Sequence, residues 1–107
     1  MSIASKMQPE TQDPVKVDPE HYKVELENDR VRVLRITYGP REKSVMHSHP
    51  DSIAVLLTDQ HSRFTLPDGK SEENRFIPGQ TMWFPAGSHL PENLADQLFE
   101  VILVELK

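Results

Sequence analysis

Two stretches decide the fold of this chain: Met46-His47-Ser48-His49-Pro50 and Gly79-Gln-Thr-Met-Trp-Phe-Pro85-Ala-Gly87-Ser-His89. The first places two histidines two residues apart. On a β-strand such side chains point to the same face, about 6.6–7 Å apart along the chain. Two imidazoles at that spacing can bind one metal ion with bonds of about 2.0–2.1 Å. An H-x-H pair alone also occurs by chance, so the second stretch has to support the first.

The residues before these stretches predict a β-hairpin. Apolar and charged side chains alternate over residues 22–33, on either side of Asn28-Asp29, a pair that suits a two-residue turn. In that register Glu27 faces Arg30 and Leu26 faces Val31, with opposite charges on one face and apolar pairs on the other. The alternation slips at Leu34, which predicts a bulge there.

Short apolar runs separated by turn residues continue to the end of the chain. They predict strands over residues 44–49, 52–58, 62–66, 74–77, 81–84 and 99–106. Residues 94–101 also fit a helical face, but the β-branched residues of the last run favour a strand. The prediction is an all-β, antiparallel sandwich or barrel, formed as a single domain by residues 21–107. Residues 1–20 contain three prolines and no periodicity, and we expect a flexible N-terminal arm there.

Composition excludes several classes of function. The 107 residues include no cysteine, which rules out disulfides, thiolate metal sites and cysteine nucleophiles. Seventeen acidic against twelve basic residues give a net charge of -5, a field that repels phosphate backbones, so we expect no nucleic-acid partner. No apolar run approaches the roughly 20 residues of a membrane-spanning helix, and the start of the chain has no secretory pattern. We therefore expect no membrane partner and a cytoplasmic location.

Taken together, the two stretches resemble the two sequence motifs of the cupin superfamily. The matching residues are Gly39, His47 and His49 in the first motif, and Gly79, Pro85, Gly87, His89 and Asn93 in the second. Two spacings depart from the usual pattern, because Gly39 lies two residues too far from His47 and one residue rather than two separates Gly87 from His89. The resemblance covers residues 30–106 and implies a cupin-type antiparallel jelly-roll barrel.

The resemblance also implies a divalent metal ion inside the barrel, bound by His47, His49 and His89. The glutamate ligand of the family would fall at Ile53 or Ala54 and is therefore missing. Asp51 could replace it only if the chain folded back at Pro50, and otherwise it is a turn residue. Without a carboxylate ligand the ion retains its full +2 charge and favours anionic oxygen donors.

A site of three histidines resembles those of cupin dioxygenases that bind Fe²⁺, such as cysteine dioxygenase and diketone-cleaving enzymes. Fe²⁺ is accordingly the favoured cofactor, with Zn²⁺, Ni²⁺ or Mn²⁺ as alternatives, and the leading hypothesis is an oxidoreductase acting on a small molecule. One alternative is a non-catalytic cupin that binds a small ligand, with a structural metal or none. Another is a metal-assisted isomerase or hydrolase. The sequence leaves open whether the protein is an enzyme.

Several residues outside the two motifs are also candidates for a role. Ile53, Val55 and Leu57 are candidates for an apolar pocket wall. Alternation turns one of Trp83 and Phe84 inward and the other outward. We expect a homodimer, because a small barrel leaves sheet edges to cover. The basic cluster of residues 30–43 is expected to be a solvated face, with Arg35 and Arg41 as the alternative candidates for substrate contact. The remaining predictions are that His21 lies on the surface, that His61 is a structural turn residue, and that Asn93 is structural.

Overall fold

Nine β-strands and a helical turn form in residues 12–107, the part of the chain that the computed structural model describes. The helical turn is α1 (Pro14–Val17). The strands are β1 (Tyr22–Glu27), β2 (Val31–Tyr38), β3 (His47–His49), β4 (Ser52–Leu56), β5 (Gln60–Thr65), β6 (Ser71–Phe76), β7 (Thr81–Phe84), β8 (Gly87–Asn93) and β9 (Phe99–Leu106).

The strands pair into two antiparallel sheets that enclose the core. One sheet has the order β1-β2-β9-β4-β7 and the other the order β3-β8-β5-β6. The inward side chains of β2, β4 and β9 supply most of the core, with Tyr22, Phe76 and partly buried side chains of β7 completing it. This arrangement is the antiparallel jelly roll that the sequence predicts, in a single domain, and it confirms the predicted fold class.

The hairpin of β1 and β2 is confirmed, but its predicted register is wrong. Glu27 pairs with Arg32 and Leu26 with Val33, because the Asn28 side chain accepts hydrogen bonds from two backbone amides and widens the turn. The bulge lies in β1, between Val24 and Leu26, whereas β2 pairs with β9 without interruption. The alternation of apolar and charged residues breaks at Leu34 because a charged residue, Arg32, occupies an inward position of β2.

The N-terminal segment and β8 also differ from expectation. Residues 1–11 lie outside the described residues. Within the rest of the expected flexible arm, Asp13 caps α1 through a hydrogen bond from Val15 N to its carboxylate (3.1 Å). β8 was missing from the predicted strands, because Gly87–Asn93 contains little apolar alternation, although the family resemblance implied a strand there.

Within residues 12–107, no helix has the length and apolar character needed to cross a bilayer.

Candidate metal centre

The central feature of the barrel interior is a cluster of three histidines on two neighbouring strands. His47 and His49 lie on β3, and His89 lies directly opposite His47 on β8. The three ring centroids are 4.9, 4.9 and 5.2 Å apart, with each pair of rings close to perpendicular. One potential ligand atom from each residue lies within 4.8 Å of the other two. The three predicted ligands are therefore brought together.

A buried chain of charged groups holds the His49 ring. His49 Nδ1 donates a hydrogen bond to Glu105 Oε2 (2.7 Å), since a carboxylate can only accept. The other oxygen of Glu105 accepts from Arg32 Nε (2.7 Å), and the Arg32 guanidinium binds Asp13 with two further hydrogen bonds. Burial raises the pKa of Glu105, but the hydrogen bonds from His49 and Arg32 outweigh it and hold that pKa below its ordinary value. The ring of His49 is thereby oriented with its Nε2 free.

The His47 ring is held mainly by the backbone. Its Nδ1 donates to the carbonyl oxygen of Val45 (2.8 Å), and Ser44 Oγ lies 3.4 Å from the same nitrogen. Ser44 donates to Asp18 Oδ2 (2.5 Å), which also accepts from His21. This network explains the burial of Asp18, a charged residue that is only 9% exposed.

Packing rather than hydrogen bonding defines the position of His89. Its ring lies edge-on to the ring of Phe64, with centroids 4.6 Å apart. Burial, followed by the neighbouring His49 and His47, lowers the pKa of His89 well below its ordinary value. The same causes, burial and the neighbouring His49, lower the pKa of His47 to about 4. Both rings are therefore neutral at pH 7, the state that can bind a metal ion.

The donor atoms fit a divalent metal ion. His47 Nε2 and His89 Nε2 are buried without a hydrogen-bond partner in residues 12–107, a costly arrangement unless another group satisfies them. The outer nitrogens of His47 and His49 are already bound to a carbonyl and a carboxylate, the arrangement typical of histidines that bind metals. A metal ion in the cluster would satisfy the unpartnered nitrogens.

The cluster contains no carboxylate from the described residues. Of the two positions where the family has its glutamate, Ala54 points inward and is 1% exposed, whereas Ile53 points outward. Asp51 is exposed and its carboxylate accepts from Ala86 N (2.8 Å), so it is a turn residue. The nearest buried acid, Glu105, contacts the outer nitrogen of His49 and is not part of the cluster.

An apolar cavity of about 410 Å³ opens beside the histidines. His49 and His89 line it together with Ala54, Leu56, Phe64, Phe76, Met82, Phe84, Phe99, Val101 and Leu103, among others. The expected wall of Ile53, Val55 and Leu57 is wrong by one position. Those side chains point away from the cavity because the inward residues of β4 are Ser52, Ala54 and Leu56. Trp83 and Phe84 alternate as predicted, and Phe84 faces the cavity.

The predictions for the two arginines and for His21 have different outcomes. Arg35 pairs with Glu25 and Glu100 and Arg41 pairs with Asp96, and neither lines the cavity, so both belong to the expected solvated face and not to the substrate site. His21 is not a surface residue, because its side chain is only 11% exposed. It bonds Asp18 and Glu42 and stacks on Tyr38.

His61 is structural as predicted, since it bonds Glu73 away from the cluster, but it lies within β5 and not in a turn. The prediction for the last of these residues agrees with the structure. Asn93 is structural, donating to the carbonyl oxygens of Tyr38, Gly39 and Gln97.

Sequence reasoning missed the residues that orient the ligands, above all Glu105. A signal was present, because Glu105 continues the inward series Phe99, Val101, Leu103 of β9. Arg32 likewise continues the inward series of β2, in register with Glu105. A charged residue in line with core residues on two paired strands indicates a buried ion pair.

Comparison with known proteins rests on structure. No family model and no curated protein matches the sequence. A cupin domain from Bordetella pertussis Tohama I is similar with a TM-score of 0.75 and 26% identity, over 80% of this chain and 91% of that one. An RmlC-like cupin family protein with a double-stranded β-helix fold from Methanocaldococcus jannaschii has a TM-score of 0.62 and 18% identity, over 83% of both chains.

The polyketide cyclase RemF from Streptomyces resistomycificus has a TM-score of 0.60 and 20% identity, over 79% of this chain and 63% of that one. Similarity at these last two identities concerns the fold alone. The strand order, the two motifs and the agreement with the Bordetella domain point to the same conclusion. Residues 12–107 form a small domain of the cupin superfamily, with a three-histidine cluster inside its barrel.

Proposed function

We propose that this protein is a metal-dependent oxidoreductase of the dioxygenase type, which binds Fe²⁺ through His47, His49 and His89 and acts on a small apolar molecule. The observation that carries the proposal is the set of unpartnered, buried imidazole nitrogens beside an apolar cavity. Fe²⁺ held by three neutral imidazoles would supply open coordination positions and redox chemistry with O₂.

The residues of the chain contribute orientation and exclusion of water. Glu105 and the Val45 carbonyl fix the rings of His49 and His47, so little reorganisation is needed when a ligand binds. Phe64, Phe84 and Leu103 make the cavity apolar, and a dry wall protects reactive intermediates from water.

Oxygen uptake by iron-loaded protein tests this proposal. Tag-free protein would be loaded anaerobically with Fe²⁺ and mixed with β-diketones, catechol-like acids and thiols, and O₂ consumption would be recorded. We expect uptake with at least one class, and none for the His89→Ala variant. Tight iron binding without uptake for any class would contradict the oxidoreductase assignment.

A second candidate is metal-assisted chemistry without O₂, such as isomerisation, hydrolysis or cyclisation. The observation in its favour is the similarity of the fold to the polyketide cyclase RemF. Turnover of the same compounds by Zn²⁺-loaded protein under nitrogen would support this candidate. A non-catalytic binding cupin would show ligand binding and no turnover under either condition.

We also propose a homodimer formed through the outer face of the five-stranded sheet. An apolar row crosses all five strands: Leu26, Val33, Val104, Ile53 and Trp83 are successive cross-strand neighbours. Two charged groups beside the row are already paired within the chain, Arg35 with Glu25 and Lys107 with Glu27. An identical face can pack on the row without breaking these ion pairs, in a two-fold symmetric interface.

Light scattering after size-exclusion chromatography tests the dimer. We expect a mass of two chains for the wild type and one for Trp83→Glu. The matched control, Ile77→Glu, alters an exposed apolar residue outside the row and should leave the mass unchanged. A monomeric wild type would contradict the proposal.

A further inference from the structure

The cavity has a second polar region, separate from the histidine cluster. Gln60 Oε1 and Asn74 Nδ2 are buried and without a hydrogen-bond partner in the described part of the chain, and both residues line the cavity. Gln60 is only 6% exposed, and its other amide atom donates to Ser62 Oγ (3.0 Å). An unsatisfied buried polar atom destabilises the fold, so two in one cavity call for an explanation.

The strand register places this region away from the metal centre. Gln60, Ser62 and Phe64 are successive inward residues of β5, and Asn74 pairs with Ser62 across the sheet. On the other side, Ser62 pairs with Asn93, four residues beyond His89 on β8, which corresponds to about 13 Å along the strand. The Phe64 ring, which touches His89, lies between the two polar regions. The cavity therefore has polar side chains at both ends, with the Phe64 ring between them and the carboxylate of Glu72 opposite Phe64 on β6.

The unpartnered atoms define what the distal region can bind. An amide oxygen needs a donor and an amide nitrogen needs an acceptor, and a hydroxyl group provides both. A carboxylate or phosphate fits poorly, because the cavity is lined by no Lys or Arg from residues 12–107 and by one acid, Glu72. A cationic group would find only that exposed carboxylate, which is too weakly placed to offset its desolvation.

We propose that Gln60 and Asn74 form a recognition site for a neutral hydroxyl group at the distal end of an elongated, mainly apolar ligand. The hydroxyl donates to Gln60 Oε1 and accepts from Asn74 Nδ2, while the apolar body packs against Phe64 and Phe76. This inference deepens the proposed function, because it names the class of molecule that reaches the histidines: one with a hydroxylated, uncharged far end, such as a phenol. The site itself requires no metal.

Two probes of the same shape test the proposal on metal-free protein. They are 2-naphthol and 2-methylnaphthalene, which differ by a hydroxyl in place of a methyl group. We expect 2-naphthol to bind at least tenfold more tightly, because a site built to bond a hydroxyl rejects the analogue that lacks it. In ¹⁵N-labelled protein, the side-chain NH₂ signals of Gln60 and Asn74 should shift with 2-naphthol and stay in place with 2-methylnaphthalene.

Substitutions of the cavity residues test where the hydroxyl group of 2-naphthol binds. Gln60→Met and Asn74→Leu should each reduce the preference for 2-naphthol to less than threefold, whereas Gln97→Met, an exposed glutamine outside the cavity, should leave it unchanged. If Gln60→Met fails to fold, Asn74→Leu and the wild-type NMR titration still decide the question. Equal affinities for the two probes, including no binding of either, would contradict the proposal.

A preference that survives both cavity substitutions would place the hydroxyl at the histidines and contradict the proposal as well. Because these measurements need neither iron nor turnover, they are independent of the oxygen-uptake test. A negative oxygen-uptake test would therefore not contradict the hydroxyl site, and a negative probe-binding test would not contradict the metal-dependent function.

Discussion

His49 and His89 face the same cluster but are supported in different ways. His49 is fixed by Glu105, Arg32 and Asp13, a chain of alternating charges that reaches from the barrel interior to the start of α1. His89 is held by its edge-on contact with Phe64. The difference indicates that hydrogen bonds and ion pairs orient the His49 ring before a metal binds, whereas the shape of the cavity positions the His89 ring. A ligand entering the cavity can therefore shift His89 more easily than His49.

The largest effect should come from removing a ligand, whichever way it is supported. His89→Ala should weaken Zn²⁺ or Fe²⁺ binding by about 100-fold or more, since loss of a ligand exceeds the 10- to 100-fold cost of losing a residue behind one. The barrel should remain folded, because the core is made by other residues. Isothermal titration calorimetry and circular dichroism measure the two quantities.

The control for this experiment is His61→Ala, which removes a histidine that bonds Glu73 outside the cluster. Its metal affinity should equal that of the wild type. Unchanged metal affinity in His89→Ala would show that the ligand assignment is wrong.

The second-largest effect on metal affinity should come from changing Glu105, which accepts a hydrogen bond from the outer nitrogen of His49. Glu105→Gln retains the shape of the side chain but removes the charge that polarises the imidazole, so metal affinity should fall about 10- to 100-fold. Glu100→Gln, on the outer face of the same strand, should have no effect on metal affinity. Phe64→Leu, which alters the packing behind His89, should cost less than threefold. Similar losses for Glu105→Gln and Phe64→Leu would remove the distinction between the two ligands.

The pH dependence of the free energy of unfolding distinguishes His47 and His89, which lie in the cluster, from His21, which lies outside it. The pKa values of His47 and His89 are lowered in the fold, so the unfolded chain binds protons more readily below pH 6.5, and stability falls as the pH falls. For His47, with a pKa of about 4, the loss between pH 6.5 and 5 is up to about 2 kcal/mol. Urea unfolding of metal-free protein at pH 7.5, 6.5, 5.5 and 5 would measure it.

The opposite sign is expected for His21, which bonds Asp18 and Glu42. Burial lowers the pKa of His21, but these hydrogen bonds outweigh it and raise that pKa above its ordinary value. Its contribution to stability is complete below pH 6.5 and disappears as the pH rises through the folded-state pKa. The stability difference between the wild type and His21→Gln should therefore grow as the pH falls from 7.5 to 6.5 and stay constant below pH 6.5. A difference that does not grow between pH 7.5 and 6.5 would contradict this assignment.

The smallest effect should come from Ser44→Ala. Ser44 Oγ is 3.4 Å from His47 Nδ1, whereas the Val45 carbonyl oxygen is 2.8 Å away and holds the ring without it. Metal affinity should change by less than threefold in calorimetry. A loss as large as that of Glu105→Gln would show that the Asp18 network, and not the backbone, fixes His47.

The sequence predicted side-chain positions correctly where strand geometry or a family motif is sufficient to determine them. Two histidines separated by one residue on a strand must share a face, and Asn93 matched a family position whose role is structural. Prediction failed where direction depended on tertiary packing. Ile53 and Ala54 are both apolar, and only the pairing of β4 with β7 and β9 shows that Ala54 faces the cavity.

Glu105 and Arg32 were missed for a related reason. Each lies in line with the core residues of its own strand, but only the pairing of β2 with β9 shows that the two opposite charges are side by side in the interior. Gln60 and Asn74 were missed because neutral amides give no signal in a sequence. Their importance follows from the unpartnered atoms that the fold buries.

A crystal structure of the metal-loaded, tag-free protein, with an anomalous difference map at the metal edge, tests the central claim most directly. We predict one ion bonded to an imidazole nitrogen of each of His47, His49 and His89 at about 2.0–2.1 Å, with no protein carboxylate in the coordination sphere. An ion bonded to Glu105 or another acid, or a His89 ring turned away from the other two, would contradict the account.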